Sequence, residues 1–384
     1  MKRELELYIH IPFCVKKCAY CDFLSFPAGK DQQAAYVKSL KKEIREWEGR
    51  GDGIVSSVFI GGGTPSILAG EQILDIMEEV KAGYVLADDA EITLEANPGT
   101  LDVQKLRVYQ EAGINRLSLG LQSAHNGELK KLGRIHTREV FLDSFFMARE
   151  AGFSNINVDL MSALPGQTLR SWEDTLVQVA ALRPEHVSAY SLIIEEGTPF
   201  YARYGEDAKR REKGEQCIYL PGEDLERKMY EQTEFILSES GYHRYEISNY
   251  ALPGKECRHN CGYWTRKEYR GFGLGAASLI GETRFSNISD LDLYLQHPGL
   301  RQEEQILSTG EQMEETMFLG LRLLCGVNRR SFREKFGISM EQVYGSVLKK
   351  MKEQDLMEET EERVWLTERG LDLGNYVFSH FLLD

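Results

Sequence analysis

The sequence lacks the long apolar runs that enter or cross membranes. No stretch approaches the roughly 18 consecutive apolar residues that a membrane-spanning helix needs. The N-terminal segment MKRELELYIH alternates charged and apolar side chains, without the continuous apolar segment of a secretory signal peptide. We therefore expect a cytoplasmic protein with no membrane span.

The sequence has fewer basic than acidic residues. Lys and Arg total 46 against 60 Asp and Glu, which gives a formal net charge of -14 over 384 residues. This balance argues against broad binding to nucleic acid or to anionic lipid surfaces, because both require clustered basic side chains. A chain of this length, with 42% apolar residues, predicts one large α/β unit with a smaller appended module.

The seven cysteines do not form an even disulfide framework, so we expect reduced thiols. Three of them, Cys14, Cys18 and Cys21, are crowded in the spacing C-x3-C-x2-C. No second pair nearby completes a closed zinc site, and a redox pair would leave Cys14 unexplained. The C-x2-C-H sequence of covalent haem attachment is absent. Ligation of an iron-sulfur cluster is the interpretation that remains.

Short apolar runs, bounded by turn residues and separated by helical patterns, predict six β-strands in the first half of the chain. They are Leu5–Ile11, Ser57–Ile60, Glu91–Glu95, Arg116–Gly120, Asn155–Leu160 and His186–Ile194. Alternation of strand and helix predicts parallel pairing. Six units are fewer than a closed eight-fold barrel needs, so a partial barrel and a doubly wound sheet are both consistent with the pattern.

Polar residues and glycines lie at the carboxyl ends of these predicted strands. Glu95, Gln122 and Asp159 end three of them, at the edge where such folds place their ligands. Gly61, Gly62 and Gly63 follow the second strand, and consecutive glycines permit close approach of backbone to a ligand. One polar residue alone would indicate a helix cap, and the glycine run alone a tight turn. Together they favour a functional site at this edge.

The end of the chain predicts a separate module. From about Gln305 the pattern reads as three helices, a hairpin at LMEETEERVWLTERG and a final helix, the order of a winged helix. Its many glutamates make it a poor ligand for DNA, so we expect a lid or packing role. We divide the chain into a barrel at residues 1–240, a Gly- and aromatic-rich extension at 241–300, and the C-terminal module at 301–384.

The cysteine spacing after a first strand, followed by the glycine run after the next, resembles the radical SAM superfamily. In that superfamily three thiolates hold three irons of a [4Fe-4S] cluster, and S-adenosylmethionine (SAM) chelates the fourth iron. The resemblance implies an α/β fold, a partial (β/α)6 radical SAM barrel with a small C-terminal winged-helix-like domain. It also implies a cluster bound by Cys14, Cys18 and Cys21, and SAM as a second cofactor.

A narrower resemblance rests on YIHIPFC, YCDF, GGGTPS, LEANPG, SLGLQS, LGRIHT and VDLMSALPGQT. Together these segments resemble the coproporphyrinogen III oxidase-like branch, and most closely its HemW-type haem chaperones. By matching motif, the resemblance implies SAM contacts from Tyr8, Tyr20, Gly62, Gly63, Thr64, Glu95, Gln122, Arg134, Asp159 and Ile193. Arg134 would pair bidentately with a carboxylate, whereas Ile193 matches only by its offset within a diverged strand.

Two features separate the chaperones from the oxidases. Phe23 stands where the oxidases have a further cysteine, and CRHNCGYW carries the H-N-x-x-Y-W motif characteristic of the haem-chaperone branch. The candidate haem contacts are His259, Cys257, Tyr263 and Trp264, since imidazole or thiolate can ligate iron and aromatic faces can stack on a porphyrin. The alternative is that this aromatic group packs the open side of the barrel.

The resemblance therefore implies a chaperone that binds haem and transfers it to an acceptor protein, which we expect to be associated with a membrane. Haem joins the [4Fe-4S] cluster and SAM as an expected bound group, and no nucleic acid is expected. The competing interpretation is an oxygen-independent coproporphyrinogen III oxidase or a related SAM-dependent porphyrin-modifying enzyme. A third is an iron-sulfur protein in which SAM plays no part. No catalytic residue can be assigned from the sequence.

Overall fold

Six parallel strands run side by side in chain order in the computed structural model, which describes residues 3–47 and 53–383. They are β1 (Glu4–Ile11), β2 (Ile54–Gly62), β3 (Val85–Ala96), β4 (Arg116–Gln122), β5 (Ile156–Ser162) and β6 (His186–Ser191). Each overlaps a predicted run, and the pairing from β1 to β6 is parallel throughout. This confirms the partial (β/α)6 barrel.

Helices connect the strands and cover the outside of the barrel. They are α1 (Lys30–Glu46), α2 (Gly70–Gly83), α3 (Val103–Glu111), α4 (Asn126–Leu132), α5 (Arg138–Glu150) and α6 (Leu169–Leu182), with a short 3-10 helix at Pro65–Ile67. In α2 the periodic residues Ile73, Ile76, Met77 and Val80 are buried. Full burial of each such side chain contributes about 1.5–3 kcal/mol, so this face fixes the helix on the sheet.

Three strand ends differ from the prediction by three residues or more. β2 starts at Ile54 rather than Ser57. β3 starts at Val85 rather than Glu91 and pairs with β2 from its first residue. The polar sequence ADDA within it gave no apolar signal. β6 ends at Ser191, although the apolar run continues to Ile194. Leu192 is buried and Ile193 is 67% exposed, because the chain leaves the sheet there while remaining apolar.

The sheet continues beyond both edges of the six-stranded unit. In the described part of the chain it has twelve strands in the order β12-β11-β10-β9-β1-β2-β3-β4-β5-β6-β8-β7. The added strands are β7 (His243–Arg244), β8 (Asn249–Ala251), β9 (Tyr269–Phe272), β10 (Ala277–Ile280), β11 (Thr283–Asn287) and β12 (Arg301–Ile306). The strand at one edge, β12, is almost entirely exposed, three of its six residues are charged, and Glu303 in it has a φ of 54°. Charges and irregular backbone are typical of a protected sheet edge.

Three further helices belong to the connections after β6. They are α7 (Pro199–Glu212), α8 (Glu223–Glu239) and α9 (Arg258–Trp264). A fourth helix, α10 (Leu291–Gln296), lies between β11 and β12. The short helix α9 carries the HNCGYW sequence and packs against inner side chains of β1 and β2. A Cβ atom added to Gly262 would lie 2.1 Å from the carboxylate of Glu6 on β1. A side chain at this position would therefore have to displace the buried Glu6 carboxylate.

The C-terminal residues form a module with an apolar core of its own, built from buried side chains between Met313 and Phe381. Its elements are α11 (Thr309–Gly320), β13 (Val327–Asn328), α12 (Arg329–Phe336), α13 (Met340–Glu353), β14 (Met357–Glu359), β15 (Arg363–Leu366), α14 (Glu368–Asp372) and α15 (Gly374–Ser379). Three helices followed by the β14-β15 hairpin confirm the winged-helix-like arrangement. Among the described residues, no helix combines the length and apolar character needed to span a membrane.

The module is joined to the sheet through Glu315 on α11. Its carboxylate accepts hydrogen bonds from Arg266 at 2.8 Å and from Arg284 at 2.5 Å. The module also covers the outer side of α9, where the Arg322 guanidinium lies 4.4 Å from the Trp264 ring centroid. These contacts pack the module against the sheet extension and α9, and the lid or packing role stays a prediction.

Candidate functional site

A cavity of about 340 Å³ opens at the carboxyl ends of the barrel strands. All three crowded cysteines, Cys14, Cys18 and Cys21, line it. Eight of the residues predicted to contact SAM line it as well, namely Tyr20, Gly62, Gly63, Thr64, Glu95, Gln122, Arg134 and Asp159. The structure therefore brings together the strand-end residues, the glycine run and the thiols.

Two predicted SAM contacts lie outside the cavity lining. Tyr8 lies deeper in the barrel, where its hydroxyl is hydrogen-bonded to Nδ1 of His10 at 2.9 Å and its ring stacks with Phe59. Ile193 follows β6 and exposes 67% of its surface. Their contacts with SAM therefore stay predictions, and for Ile193 offset within a strand did not fix where the chain leaves the sheet.

The loop that carries the cysteines is anchored at several points. The amide of Cys14 donates to Phe26 O at 3.1 Å. The amide of Ala19 donates to Leu132 O at the end of α4, and Ala19 O accepts from the amide of Phe200 at the start of α7. These bonds hold the three thiols at the rim of the cavity, so the site does not depend on a freely moving loop.

The thiols suit an iron-sulfur cluster. All seven cysteines are free, and Cys18 and Cys21 are only partly buried at the cavity wall. Within residues 3–47 and 53–383, no three Cys, His, Asp or Glu side chains converge on one point as a single metal ion requires. A cubane cluster does not require that, because each thiolate binds a different iron. The donor set thus fits a cluster held by three cysteines.

The glycine run packs directly against the start of the cysteine loop. Gly62 has a φ of 112°, and a Cβ atom there would lie 2.4 Å from the His10 ring. A Cβ atom at Gly63 would lie 2.6 Å from Phe13 O. The amide of Gly63 donates to Ile11 O at 2.8 Å and that of Thr64 to Phe13 O at 2.7 Å. The glycines therefore tie the second strand to the cysteine loop as well as lining the cavity.

Two carboxylates face the cavity from β3 and β5. Burial and the neighbouring Asp159 raise the pKa of Glu95 to about 7, although the Gly62 amide donates to its Oε2 at 3.0 Å. Burial also raises the pKa of Asp159, against hydrogen bonds from Asn157 and Ser118. A cationic ligand between these two groups would favour their ionised forms. The pair therefore suits a ligand with an ammonium or sulfonium group.

Arg134 is held mainly by the protein itself. Its Nη2 donates to Gly120 O at 2.6 Å and to Asn97 Oδ1 at 2.7 Å, and its Nη1 points to Cys18 Sγ at 3.7 Å. Both bidentate edges of a guanidinium include Nη2, whose two hydrogens are already used here. The predicted bidentate contact with a carboxylate is therefore not available in this arrangement, and a single bond from another nitrogen remains open.

Sequence reasoning missed part of the cavity lining. Asn97 lies two positions after Glu95 in LEANPG, and its Nδ2 donates to Thr64 Oγ1 at 2.7 Å, so its place at the strand end was the usable signal. The floor includes Ser248, Asn249 and Asn260, which come from a distant part of the chain. Asn260 belongs to the H-N-x-x-Y-W motif, whereas no local pattern marks Ser248 and Asn249, because the folding of the segment around β8 onto the barrel brings them there.

The candidate haem contacts on α9 do not line this cavity. His259 is 1% exposed and Cys257 is fully buried. The His259 ring is hydrogen-bonded to Ser57 at 2.8 Å and to Tyr263 at 3.0 Å, and burial lowers its pKa to about 3. Trp264 lies under Arg322. In this arrangement the motif packs the open side of the barrel, the alternative raised by the sequence, and neither His259 nor Cys257 is accessible to a haem iron.

The buried carboxyl group beneath α9 gives a pH-dependent prediction. Glu6 is 1% exposed, and burial raises its pKa to about 8 from an ordinary 4.5, although Lys267 opposes the shift. The folded state then binds the extra proton across this interval, so the free energy of unfolding falls as pH rises from about 4.5 to 8. We expect Glu6→Gln to remove this part of the dependence and to stabilise the protein by of order 3 kcal/mol at pH 9.

Urea unfolding of the parent and of Glu6→Gln at pH 5 and pH 9 measures this difference. Glu150→Gln changes an exposed carboxylate at the end of α5 and is expected to leave the pH dependence as in the parent. Parallel pH dependences for Glu6→Gln and the parent would contradict the prediction.

Strand order, glycine run and three free thiols at one cavity define a radical SAM protein. Residues 8–179 match the Radical SAM superfamily and residues 307–373 match the HemN C-terminal domain. The structure resembles that of coproporphyrinogen III oxidase (HemN) from Escherichia coli with a TM-score of 0.83, covering 99% of this chain and 90% of that chain. The identity is 24%, so this likeness shows the fold alone.

Curated relatives define the family more narrowly. The chain is 40% identical to the heme chaperone HemW of Bacillus subtilis (strain 168), over 98% of each chain. It is 38% identical to the heme chaperone HemW of Lactococcus lactis subsp. lactis (strain IL1403), over 100% of this chain and 99% of that one. The chain belongs to the HemW family. The predicted family and fold class are thereby confirmed, and the [4Fe-4S] cluster and SAM are the cofactors of its superfamily.

Proposed function

We propose that this protein is a haem chaperone, which binds haem and transfers it to an acceptor protein. The observation that carries the proposal is the similarity, over nearly the full length of both chains, to proteins named heme chaperone HemW. Phe23 supports it: this side chain lines the cavity and is 63% exposed, at the position where the resembling oxidases carry a further cysteine. We propose that the acceptor is a protein associated with a membrane.

Cys14, Cys18 and Cys21 would hold the cluster, and SAM would lie along the remaining lining of the same cavity. When bound, the cluster supplies a one-electron donor beside the SAM sulfonium. Glu95 and Asp159 provide negative charge for the cationic groups of SAM. The Tyr190 hydroxyl donates to Gln122 Oε1 at 3.2 Å, which leaves the Gln122 amide nitrogen to donate to a ligand. These roles account for the polar wall of the cavity.

Haem ligation by the α9 motif would require a different arrangement. Both ring nitrogens of His259 are engaged with Ser57 and Tyr263, and the ring is stacked 5.1 Å from Phe59. An iron atom could reach His259 only after α9 leaves the barrel. We therefore propose that, in the state described, this motif serves as a wall of the barrel and supports the cavity floor through Asn260.

An anaerobic experiment tests the proposed function. The cluster is reconstituted, SAM and a reductant are added, and haem absorbance and the carboxylates of coproporphyrinogen III are followed in parallel. We expect haem to bind at about one per chain, with the porphyrinogen unchanged, because a chaperone retains its cargo until an acceptor takes it. Release is followed with apomyoglobin as the acceptor probe.

Catalytic decarboxylation of the porphyrinogen would overturn the proposal in favour of the oxidase. The absence of saturable haem binding would overturn it as well. A His259→Ala variant that folds and keeps the haem affinity of the parent would support the role of α9 as a wall, whereas loss of haem with an intact fold would assign ligation to His259.

A further inference from the structure

One helix end holds both the cysteine loop and Arg134. α4 ends at Leu132, and Gly133 follows with a φ of 78°, which turns the chain back toward the barrel. Leu132 O accepts from the amide of Ala19, between Cys18 and Cys21, at 3.2 Å. The amide of Arg134 donates to Leu129 O at 3.0 Å. The distance from Arg134 to the cluster cysteines is therefore set by this helix end.

Asn97 connects Arg134 to a second donor. Its Oδ1 accepts from Arg134 Nη2 at 2.7 Å, and its Nδ2 donates to Thr64 Oγ1 at 2.7 Å. Since the Thr64 hydroxyl accepts this bond, its own hydrogen is available for Cys14 Sγ, which lies 3.5 Å away. At the other end of this hydrogen-bond network, Arg134 Nη1 lies 3.7 Å from Cys18 Sγ. One hydrogen-bond network thus contacts two of the three cluster thiols, those of Cys14 and Cys18.

This hydrogen-bond network differs from an ordinary contact between loops because it includes a charged group and is buried. Thr64 is 3% exposed, and Arg134 Nε is buried without a partner in the described part of the protein. Arg134 is always cationic, so a positive charge is kept beside Cys18 in a poorly solvated place. With cluster-bound thiolates as acceptors both bonds are charge-assisted, and only the Arg134 bond has a charged donor as well. The two ends should therefore differ in strength, with Arg134 the stronger.

We propose that Arg134, Asn97 and Thr64 set the reduction potential of the iron-sulfur cluster through their hydrogen bonds to Cys18 and Cys14. One-electron reduction takes an electron from the external reductant, adds one negative charge to the cluster and moves no proton. Hydrogen bonds to the sulfurs and a nearby cation stabilise the more negative, reduced form and raise the potential. The inference rests on the cluster-binding part of the proposed function and is independent of haem.

A redox titration tests the proposal. The reconstituted protein, without SAM or haem, is titrated anaerobically with dithionite, and the reduced cluster is counted by electron paramagnetic resonance after iron and sulfide analysis. Arg134→Gln removes the charge. We expect the ratio of reduced to oxidised cluster at a fixed potential to fall at least tenfold, which corresponds to about 59 mV for one electron.

Two further variants separate the contributions of charge and of hydrogen bonding to the reduction potential. Arg134→Lys keeps the charge but cannot span Gly120, Asn97 and Cys18 as the planar guanidinium does, so a smaller fall is expected. Thr64→Val keeps the shape and removes the hydroxyl that donates to Cys14 and accepts from Asn97, which should also give a smaller fall. Lys16→Gln removes an exposed cation from the rim of the same cavity and is the matched control, with a ratio close to that of the parent.

An unchanged potential in Arg134→Gln, at the iron content of the parent, would overturn the proposal. An equal fall in Lys16→Gln would also overturn it, because net charge at the rim would then suffice. Should Arg134→Gln bind no iron, Thr64→Val carries the test, and an unchanged potential there rejects the proposal. A parent protein that takes up no iron would instead reject the cluster-binding part of the proposed function, before any titration begins.

Discussion

Replacing Cys14, Cys18 or Cys21 by alanine is expected to abolish the iron-sulfur absorbance of the reconstituted protein. Each thiolate would be the ligand of a different iron, so one substitution leaves an iron without a protein ligand. Loss of an outer partner of a metal ligand already costs about 10–100-fold in affinity, and loss of a ligand costs more. Iron content per chain and the visible spectrum, measured anaerobically, check this result.

The remaining cysteines supply the control. Cys325 is exposed and belongs to the C-terminal module, outside the cavity lining. A Cys325→Ala variant should therefore bind iron as the parent does. Parent-level iron in any one of the three loop variants would remove that cysteine from the ligand set, and with it the explanation for the C-x3-C-x2-C spacing.

The second large effect concerns the buried ion pair that fixes the sheet extension. Arg270 on β9 contacts Glu43 on α1 at 2.7 Å, and both side chains are 2% exposed. Glu43 also accepts from Asn287 and Tyr294 at 2.7 Å each, and from the Gly273 amide at 2.9 Å. Burial raises the pKa of Glu43 and Arg270 opposes that shift. The carboxylate therefore depends on Arg270 for its charge.

Arg270→Met is expected to lower the free energy of unfolding by about 3–5 kcal/mol, because it leaves an uncompensated buried carboxylate. Urea unfolding at neutral pH measures the change. The double variant Glu43→Gln with Arg270→Met should be less destabilised than the sum of the single variants, since the two residues interact directly. Additive effects would show that the pair contributes nothing beyond its separate contacts.

A surface pair gives the matched comparison. Lys349 and Glu353 lie 3.8 Å apart on α13, with 77% and 66% of their side chains exposed. Lys349→Met should change stability by less than about 0.5 kcal/mol, because solvent screens the exposed pair and its side chains are free to move. A loss as large as that of Arg270→Met would contradict the burial argument.

The sequence predicted the barrel well because its strands are buried on a continuous apolar face. The apolar runs placed both ends of β1, β4 and β5 within two residues, whereas β2 extends three residues before and two residues beyond its predicted run. The added strands β9 to β12 were not predicted, since short strands in a Gly-rich segment carry no clear period. β9 pairs with β1, which lies far away in the chain, and β10 to β12 continue the sheet from β9.

The candidate site was likewise predicted in part from the sequence and in part not. Glu95, Gln122 and Asp159 were predicted to meet because carboxyl ends of parallel strands share one edge, and they do line one cavity. The motif at His259 resembled a ligand site, yet the residue packs inside the barrel. A motif shows which residue types occur together, whereas accessibility depends on what the rest of the chain places over them.

The ion pairs of Glu315 have a mechanical consequence for the cavity. Arg266 lies two residues after α9 and forms an ion pair with Glu315 on α11. Arg284 of the sheet forms a second ion pair with the same Glu315. At the other end of this segment Asn260 lies in the cavity floor. A displacement of the C-terminal module must either break both contacts or pull on the segment that carries Asn260. The C-terminal module is thus connected to the lining of the cysteine cavity through one short segment, from Asn260 to Arg266.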